Sequence, residues 1–129
     1  MHANQGAFSH IASFTHIIVL CQNFIRMLGK WIKKLLGMPD ADVLQSYKEK
    51  GAVVIDVRTK GEFQSGHGKN AKNVPLDQIA AQAGKIKAMN KPIIVCCRSG
   101  ARSGQAAGIL KSKGIDVLNG GPWQNVADF

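Results

Sequence analysis

The stretch Ile93-Ile94-Val95-Cys96-Cys97-Arg98-Ser99-Gly100-Ala101-Arg102-Ser103 decides how this chain folds. Its first four residues form a short, continuous apolar run, the pattern of a strand buried on both faces. Cys97 to Arg102 reads as a loop, and Ser103 opens a helix to about Lys113 with Gly114 as its stop. Working outward, the pattern recurs. Ala52-Val53-Val54-Ile55 is an earlier buried strand, and Ile115 to Leu118 is a later one. Helices are predicted from Asp40, a capping residue, to about Glu49, and from Leu76 to about Met89. A helical turn passes through Glu62 and Phe63, and a last short helix starts at Trp123. Residues 66–75 read as a Gly- and Asn-rich connection, and Asn119-Gly120-Gly121-Pro122 reads as a turn. Strands alternating with helices predict an α/β fold, a small parallel sheet with helices on both faces.

In open parallel sheets the reactive crevice lies beyond the carboxyl ends of the strands. Cys97 stands at such an end, directly before a helix. Backbone N–H groups of a loop wrapped around the sulfur, the positive end of the helix dipole, and the charges of Arg98 and Arg102 all favour thiolate over thiol. An ordinary cysteine is only about 3% ionised at pH 7, so such an environment multiplies the nucleophile available. Gly100 lets the loop reverse. Ser99 and Ser103 can donate to an anion, or Ser103 can cap the helix. Cys96 lies within the apolar run, and alternation points it away from Cys97, into the core. Asp56 and Arg58 close the first strand and read as structural. Arg58 and Glu62 are spaced for a salt bridge. His67 also reads as structural, since a low-pKa thiolate needs no base. Trp123 reads as a core plug. Gly104, Ala106, Ala107 and Gly108 read as small residues that let their helix approach the sheet.

Composition bounds the rest. The chain has 129 residues, 45% of them hydrophobic and 19% charged, which suits one folded domain and excludes a disordered tail. Three cysteines cannot all pair, and none has metal-finger spacing; free thiols imply a reducing, cytoplasmic setting. The net charge is +9. Residues 1–38 hold Arg26, Lys30, Lys33 and Lys34 and no acid, whereas residues 39–129 hold thirteen bases and eight acids. The chain accordingly divides into an extension, 1–38, and a domain, 39–129. The bases of the domain are scattered and few aromatics interleave them, which argues against a nucleic-acid partner. The window from Ala7 to Leu28 is too polar for a membrane span. Residues 24–36 fit a basic amphipathic helix that stops at Gly37 and Pro39. Its apolar half carries Phe24, Ile25, Met27, Leu28, Trp31, Ile32, Leu35 and Leu36. Such a helix suits an anionic membrane surface, or packing on protein.

Four separated segments carry a family resemblance. They are Asp56-Val57-Arg58 followed by Glu62-Phe63; Gly66-His67 through Ala71, Asn73, Val74 and Pro75; Cys97 to Ser103; and Asn119-Gly120-Gly121 with Trp123. In this order, from Val53 to Trp123, the chain resembles a single-domain rhodanese of the thiosulfate sulfurtransferase class. The resemblance implies a sheet of about five parallel strands and a Cys97 that carries sulfur as a persulfide. It also implies a thiosulfate or persulfide donor, a small-molecule or protein thiol acceptor, and no metal or organic cofactor. Gly68 and Asn70 depart from the family, which usually has an apolar residue and then a glycine there. A looser connection is expected, with Asn70 taking up positive φ in glycine's place. Two rivals share the fold class: a persulfide carrier without turnover, tethered to a membrane, and an oxyanion enzyme of the phosphatase or arsenate reductase kind. The latter separate Cys and Arg by five residues, whereas Cys97 and Arg102 are separated by four, a tighter ring that suits sulfur better than phosphate.

Overall fold

A computed structural model of the chain describes residues 6–35 and 39–129, with the side chains of the first segment described from Thr15 onward. Two compact units result: the N-terminal helix and the α/β unit that follows it. The helix, α1, runs Gly6–Leu35 without interruption. It therefore begins well before the predicted residues 24–36; Leu36 and the Gly37 stop lie outside the described residues. The earlier start has a local reason. Residues 6–23 contain no proline, and their single turns of polar residues leave the backbone ladder intact.

The α/β unit holds a sheet in the order β2-β1-β3-β4, all parallel. Its strands are β1 (Val53–Asp56), β2 (Lys72–Asn73), β3 (Ile93–Cys97) and β4 (Val117–Pro122). Four strands, rather than about five, are present among the described residues. The helices are α2 (Ala41–Glu49), α3 (Lys60–Gln64), α4 (Ile79–Ala88) and α5 (Ala101–Ser112), with 3-10 turns at Leu76–Gln78 and Trp123–Val126. Asp40 takes the capping position of α2, but its side chain makes no capping hydrogen bond.

Alternation along the strands sorts the core into two layers. Ile55, Ile93, Val95, Cys97 and Val117 face Ile79, Ala83 and Ile86 of α4 and Ala106, Ala107 and Leu110 of α5. Val54, Ile94 and Cys96 face Leu44 of α2 and Val126, with Tyr47 and Trp123 partly buried beside them. The adjacent cysteines thus lie on opposite faces of the sheet. Ala106 and Ala107 provide the close approach of α5, whereas Gly104 and Gly108 are exposed.

Three local expectations are corrected. Asn119-Gly120-Gly121-Pro122 is strand, not turn. Pairing jumps from Val95↔Asn119 to Cys96↔Gly121, so Gly120 is the extra residue of a bulge. A β-carbon at Gly120 would lie 2.8 Å from Ile94 Cγ2, which no rearrangement of backbone could easily relieve. Turn-type residues are tolerated here because pairing with β3 outweighs their local preference. The connection at 66–75 is not loosened by Gly68. That glycine is buried, its absent β-carbon would stand 3.3 Å from the Val126 carbonyl oxygen, and Lys69 N–H donates to Ala127 O at 2.9 Å. Asn70 is not in the left-handed region; its amide donates instead to Phe129 O at 2.8 Å.

Candidate active site

Cys97 closes β3, and α5 begins at Ala101, two residues before the expected Ser103. The intervening turn of Arg98, Ser99 and Gly100 is therefore short. Gly100 holds φ +100°, and a β-carbon on it would approach Gly121 Cα to 3.3 Å, so both conformation and space require glycine. The tightness of the turn brings N–H groups onto the sulfur: Gly100 N–H donates to Cys97 Sγ at 3.0 Å.

Burial pushes the Cys97 thiol up. Hydrogen bonds outweigh it, first from the Ser103 hydroxyl, then from the backbone N–H groups of Ser103, Gly100 and Ser99. The balance lies below the ordinary thiol value. For Cys96 the balance is opposite. Burial, reinforced by the Asp56 charge, pushes it up to about 12. One strand residue is thus a thiol primed to ionise, and its neighbour is an inert core side chain. A folded-state value lowered in this way adds stability that is complete above the unfolded thiol's value of about 8.5 and is lost as pH falls through the lowered one. Cys97→Ser should remove that segment of the stability–pH curve, as measured by denaturant melts across pH.

The arginines divide differently from expectation. Arg102 is held by the Glu62 carboxylate, with contacts of 2.9 and 3.4 Å, rather than by the sulfur. That hydrogen bond keeps the Glu62 carboxyl below its usual range. Arg98 and Ser99 are exposed at the rim. Arg58 makes no carboxylate pair with Glu62, because Asp56 is nearer. Asp56 receives Arg58 Nη2 at 2.7 Å and Nε at 3.0 Å, while Arg58 also donates to the carbonyls of Gly66 and Glu62. Hydrogen bonding to Asp56 raises the Arg58 value still further. The guanidinium lies over the Trp123 ring, 5.0 Å from its centre. His67 stacks on Phe63 and its Nδ1–H donates to Phe63 O at 2.8 Å, a local structural role.

Ser103 does not cap the helix. It is buried within α5, its hydroxyl 3.4 Å from Cys97 Sγ and 2.7 Å from Asn119 Oδ1. Asn119 was not among the expected site residues, because a turn assignment gave its side chain no direction. As a β4 residue before the bulge it faces the Cys97 side of the sheet. Its Oδ1 also accepts Gly121 N–H, and its Nδ2 donates to Gly100 O. One hydroxyl hydrogen serves two acceptors here. With a thiol, Cys97 S–H can donate to Ser103 while Ser103 donates to Asn119. With a thiolate, the hydroxyl turns to sulfur, and Asn119 Oδ1 keeps the Gly121 N–H. Asn119→Ala removes the acceptor that competes with the sulfur for this hydrogen and should therefore move the alkylation pH profile of Cys97 downward. Unchanged alkylation in a folded variant would leave Asn119 a purely structural role.

A cleft of about 330 Å³ opens at the opposite ends of the strands, between Ile86, Lys87, Asn90 and Asp116. No cysteine lines it, whereas at the Cys97 turn a thiol and aligned donors coincide. Among the described residues no group of side chains is arranged to hold a metal ion.

A family model for the Rhodanese-like domain matches residues 30–123. A Bacillus subtilis (strain 168) protein named Uncharacterized protein YqhL is 40% identical over 105 residues, covering 79% of this chain and 81% of that protein. The thiosulfate sulfurtransferase GlpE of Pseudomonas fluorescens (strain SBW25) is 38% identical over 80 residues, 60% of this chain and 72% of its own. Among solved structures, a rhodanese with anions from E. coli superposes with a TM-score of 0.55 at 32% identity, covering 60% of this chain and 94% of that one. The match to the family model spans most of the chain, including both cysteines of β3, the α5 turn and β4, and on that ground the chain belongs to the rhodanese-like domain family.

Proposed function

We propose that this protein is a sulfurtransferase in which Cys97 carries the transferred sulfur. The observation that supports it is the opposite treatment of two adjacent thiols: only Cys97 is surrounded by hydrogen-bond donors that favour its anion. In the first step the Cys97 thiolate attacks the outer sulfur of thiosulfate. The S–S bond of the donor breaks, sulfite leaves with the electron pair, and a persulfide anion remains on the enzyme. In the second step a thiophilic acceptor, cyanide or a thiolate, attacks the terminal sulfur and the Cys97 thiolate is regenerated. Charge and atoms balance in both steps, and no oxidant is needed. The order is ping-pong.

The N–H groups of Ser99, Gly100 and Ser103 would hold the persulfide anion as they hold the thiolate. Arg98, exposed and in no ion pair among the described residues, would draw the donor anion to the rim; Arg102, paired with Glu62, would contribute less charge. Cys97 is buried, and Arg98 and Ser99, the residues that follow it, are exposed. A four-residue separation of Cys97 and Arg102 leaves a ring suited to one sulfur atom rather than a tetrahedral oxyanion.

The test is steady-state turnover of thiosulfate and cyanide, combined with mass spectrometry of the thiosulfate-treated protein. Parallel double-reciprocal lines and one added sulfur on Cys97 are expected. Stoichiometric loading without turnover would instead make the protein a sulfur carrier. Hydrolysis of an aryl phosphate that is lost in Cys97→Ser would make it an oxyanion enzyme.

A further inference from the structure

The sulfur chemistry gives no role to α1, a helix of 30 residues. Its length matters, because the amphipathic pattern continues well before Phe24. At about 100° per residue, the large apolar residues from Ile17 to Leu35 occupy one half of the cylinder, Val19 alone excepted. Gln22, Asn23, Arg26, Lys30, Lys33 and Lys34 occupy the other. Nineteen residues make a stripe about 28 Å long. Its side chains stand in the open: Leu20 is 61% exposed, Trp31 66% and Leu35 79%. A contiguous apolar row of this size marks an interaction surface.

Charge selects the occupant. Residues 1–38 contain no acid, so every formal charge on the polar half, from Arg26 to Lys34, is positive. A second copy packed on the apolar half would leave both sets of four bases facing outward with no carboxylate on the helix to answer them. An anionic lipid surface complements both halves at once, apolar side toward the acyl chains and lysines toward the headgroups. No described helix is long and apolar enough to cross a membrane, so the helix would lie in the surface rather than span it.

We propose that α1 binds, in the plane of the bilayer, to membranes bearing anionic lipid, with Trp31 seated at the acyl boundary. This inference stands on the helix alone and is independent of the reaction at Cys97. The test uses the full chain and vesicles of phosphatidylcholine with about 30% phosphatidylglycerol, against phosphatidylcholine alone. The full chain should float with the anionic vesicles only, and raising salt should weaken it as the screening length shrinks from about 10 Å at 0.1 M to about 3 Å at 1 M. Replacing Lys30, Lys33 and Lys34 by Gln should weaken binding by about fivefold per lysine, on the order of 100-fold in total. Lipids brominated in the acyl chains should quench Trp31 fluorescence, and Trp31→Phe should still float while losing that quenching. Trp31→Glu should not float. The proposal is overturned by equal binding to neutral vesicles. It is also overturned by absence of flotation in a chain that still unfolds cooperatively, or by a lipid-free dimer, seen in sedimentation, that shields Trp31.

Discussion

Cys97→Ser should abolish sulfur loading, whereas Cys96→Ser and Cys96→Ala should load one sulfur as the parent does. The expected loss for Cys97→Ser is on the order of 10³-fold or more in turnover, since the covalent intermediate disappears with the nucleophile. Serine is slightly smaller but can still accept from the donors of the turn, so the effect isolates the sulfur. The Cys96 variants should show a different defect. A hydroxyl placed at Cys96, which is 1% exposed between Leu44 and Val126, costs about 1–3 kcal/mol of stability without touching the chemistry. With Cys96 pushed up to about 12, only roughly one molecule in 10⁵ carries that thiolate at pH 7, too few to compete with Cys97. Mass spectrometry after thiosulfate treatment, with thermal melts of each variant, separates the two effects. Loading that survives Cys97→Ser and vanishes in Cys96→Ser would reverse the assignment.

Removing Arg58 should cost about 3–5 kcal/mol, a large part of the roughly 5–15 kcal/mol that holds a domain folded. The reason is Asp56. It is fully buried, its carboxylate is matched by the Arg58 fork, and truncation leaves a buried charge with no counter-charge, held only by the Arg58 backbone N–H. Arg58→Lys should rescue little. A single ammonium cannot serve both Asp56 oxygens and the Gly66 and Glu62 carbonyls, nor lie flat over Trp123. The paired variant Asp56→Leu with Arg58→Leu should lose less than the sum of the two single changes, by about 1–3 kcal/mol, because neither charge is then stranded. Denaturant melts of the four proteins in the cycle measure this. Strict additivity would show that the two residues act separately. Asn73 of β2 donates to the carbonyls of Asp56 and Arg58, so the second family segment is tied to the first through this pair.

The particular residues show where reading the chain ends. The strand at Ile93–Cys96 was legible because an apolar run bounded by polar residues has few alternatives in a short chain. Opposite faces for Cys96 and Cys97 followed from a period of two. Cys97 as the candidate nucleophile was legible from the charge and glycine after it. The Glu62–Arg102 pair was not, since it joins residues forty positions apart on different helices. Asn119 was hidden for another reason. Asn-Gly-Gly-Pro carries the composition of a turn, and only pairing with β3 makes it a strand with a defined face.

By itself the sequence determined the alternation of buried strands and helices, the family, the candidate thiol at Cys97 and the basic, amphipathic character of residues 24–36. These depend on local periodicity and on residue types in contiguous segments, which a linear chain displays openly. Only the tertiary structure decided that four strands form the described sheet and that Arg58 answers Asp56 while Arg102 answers Glu62. Nor could the linear chain show that the Ser103 hydroxyl leads the donors that favour the Cys97 thiolate. Those choices are competitions among partners of similar chemistry. They are settled by distance and burial, which exist only once the chain has folded.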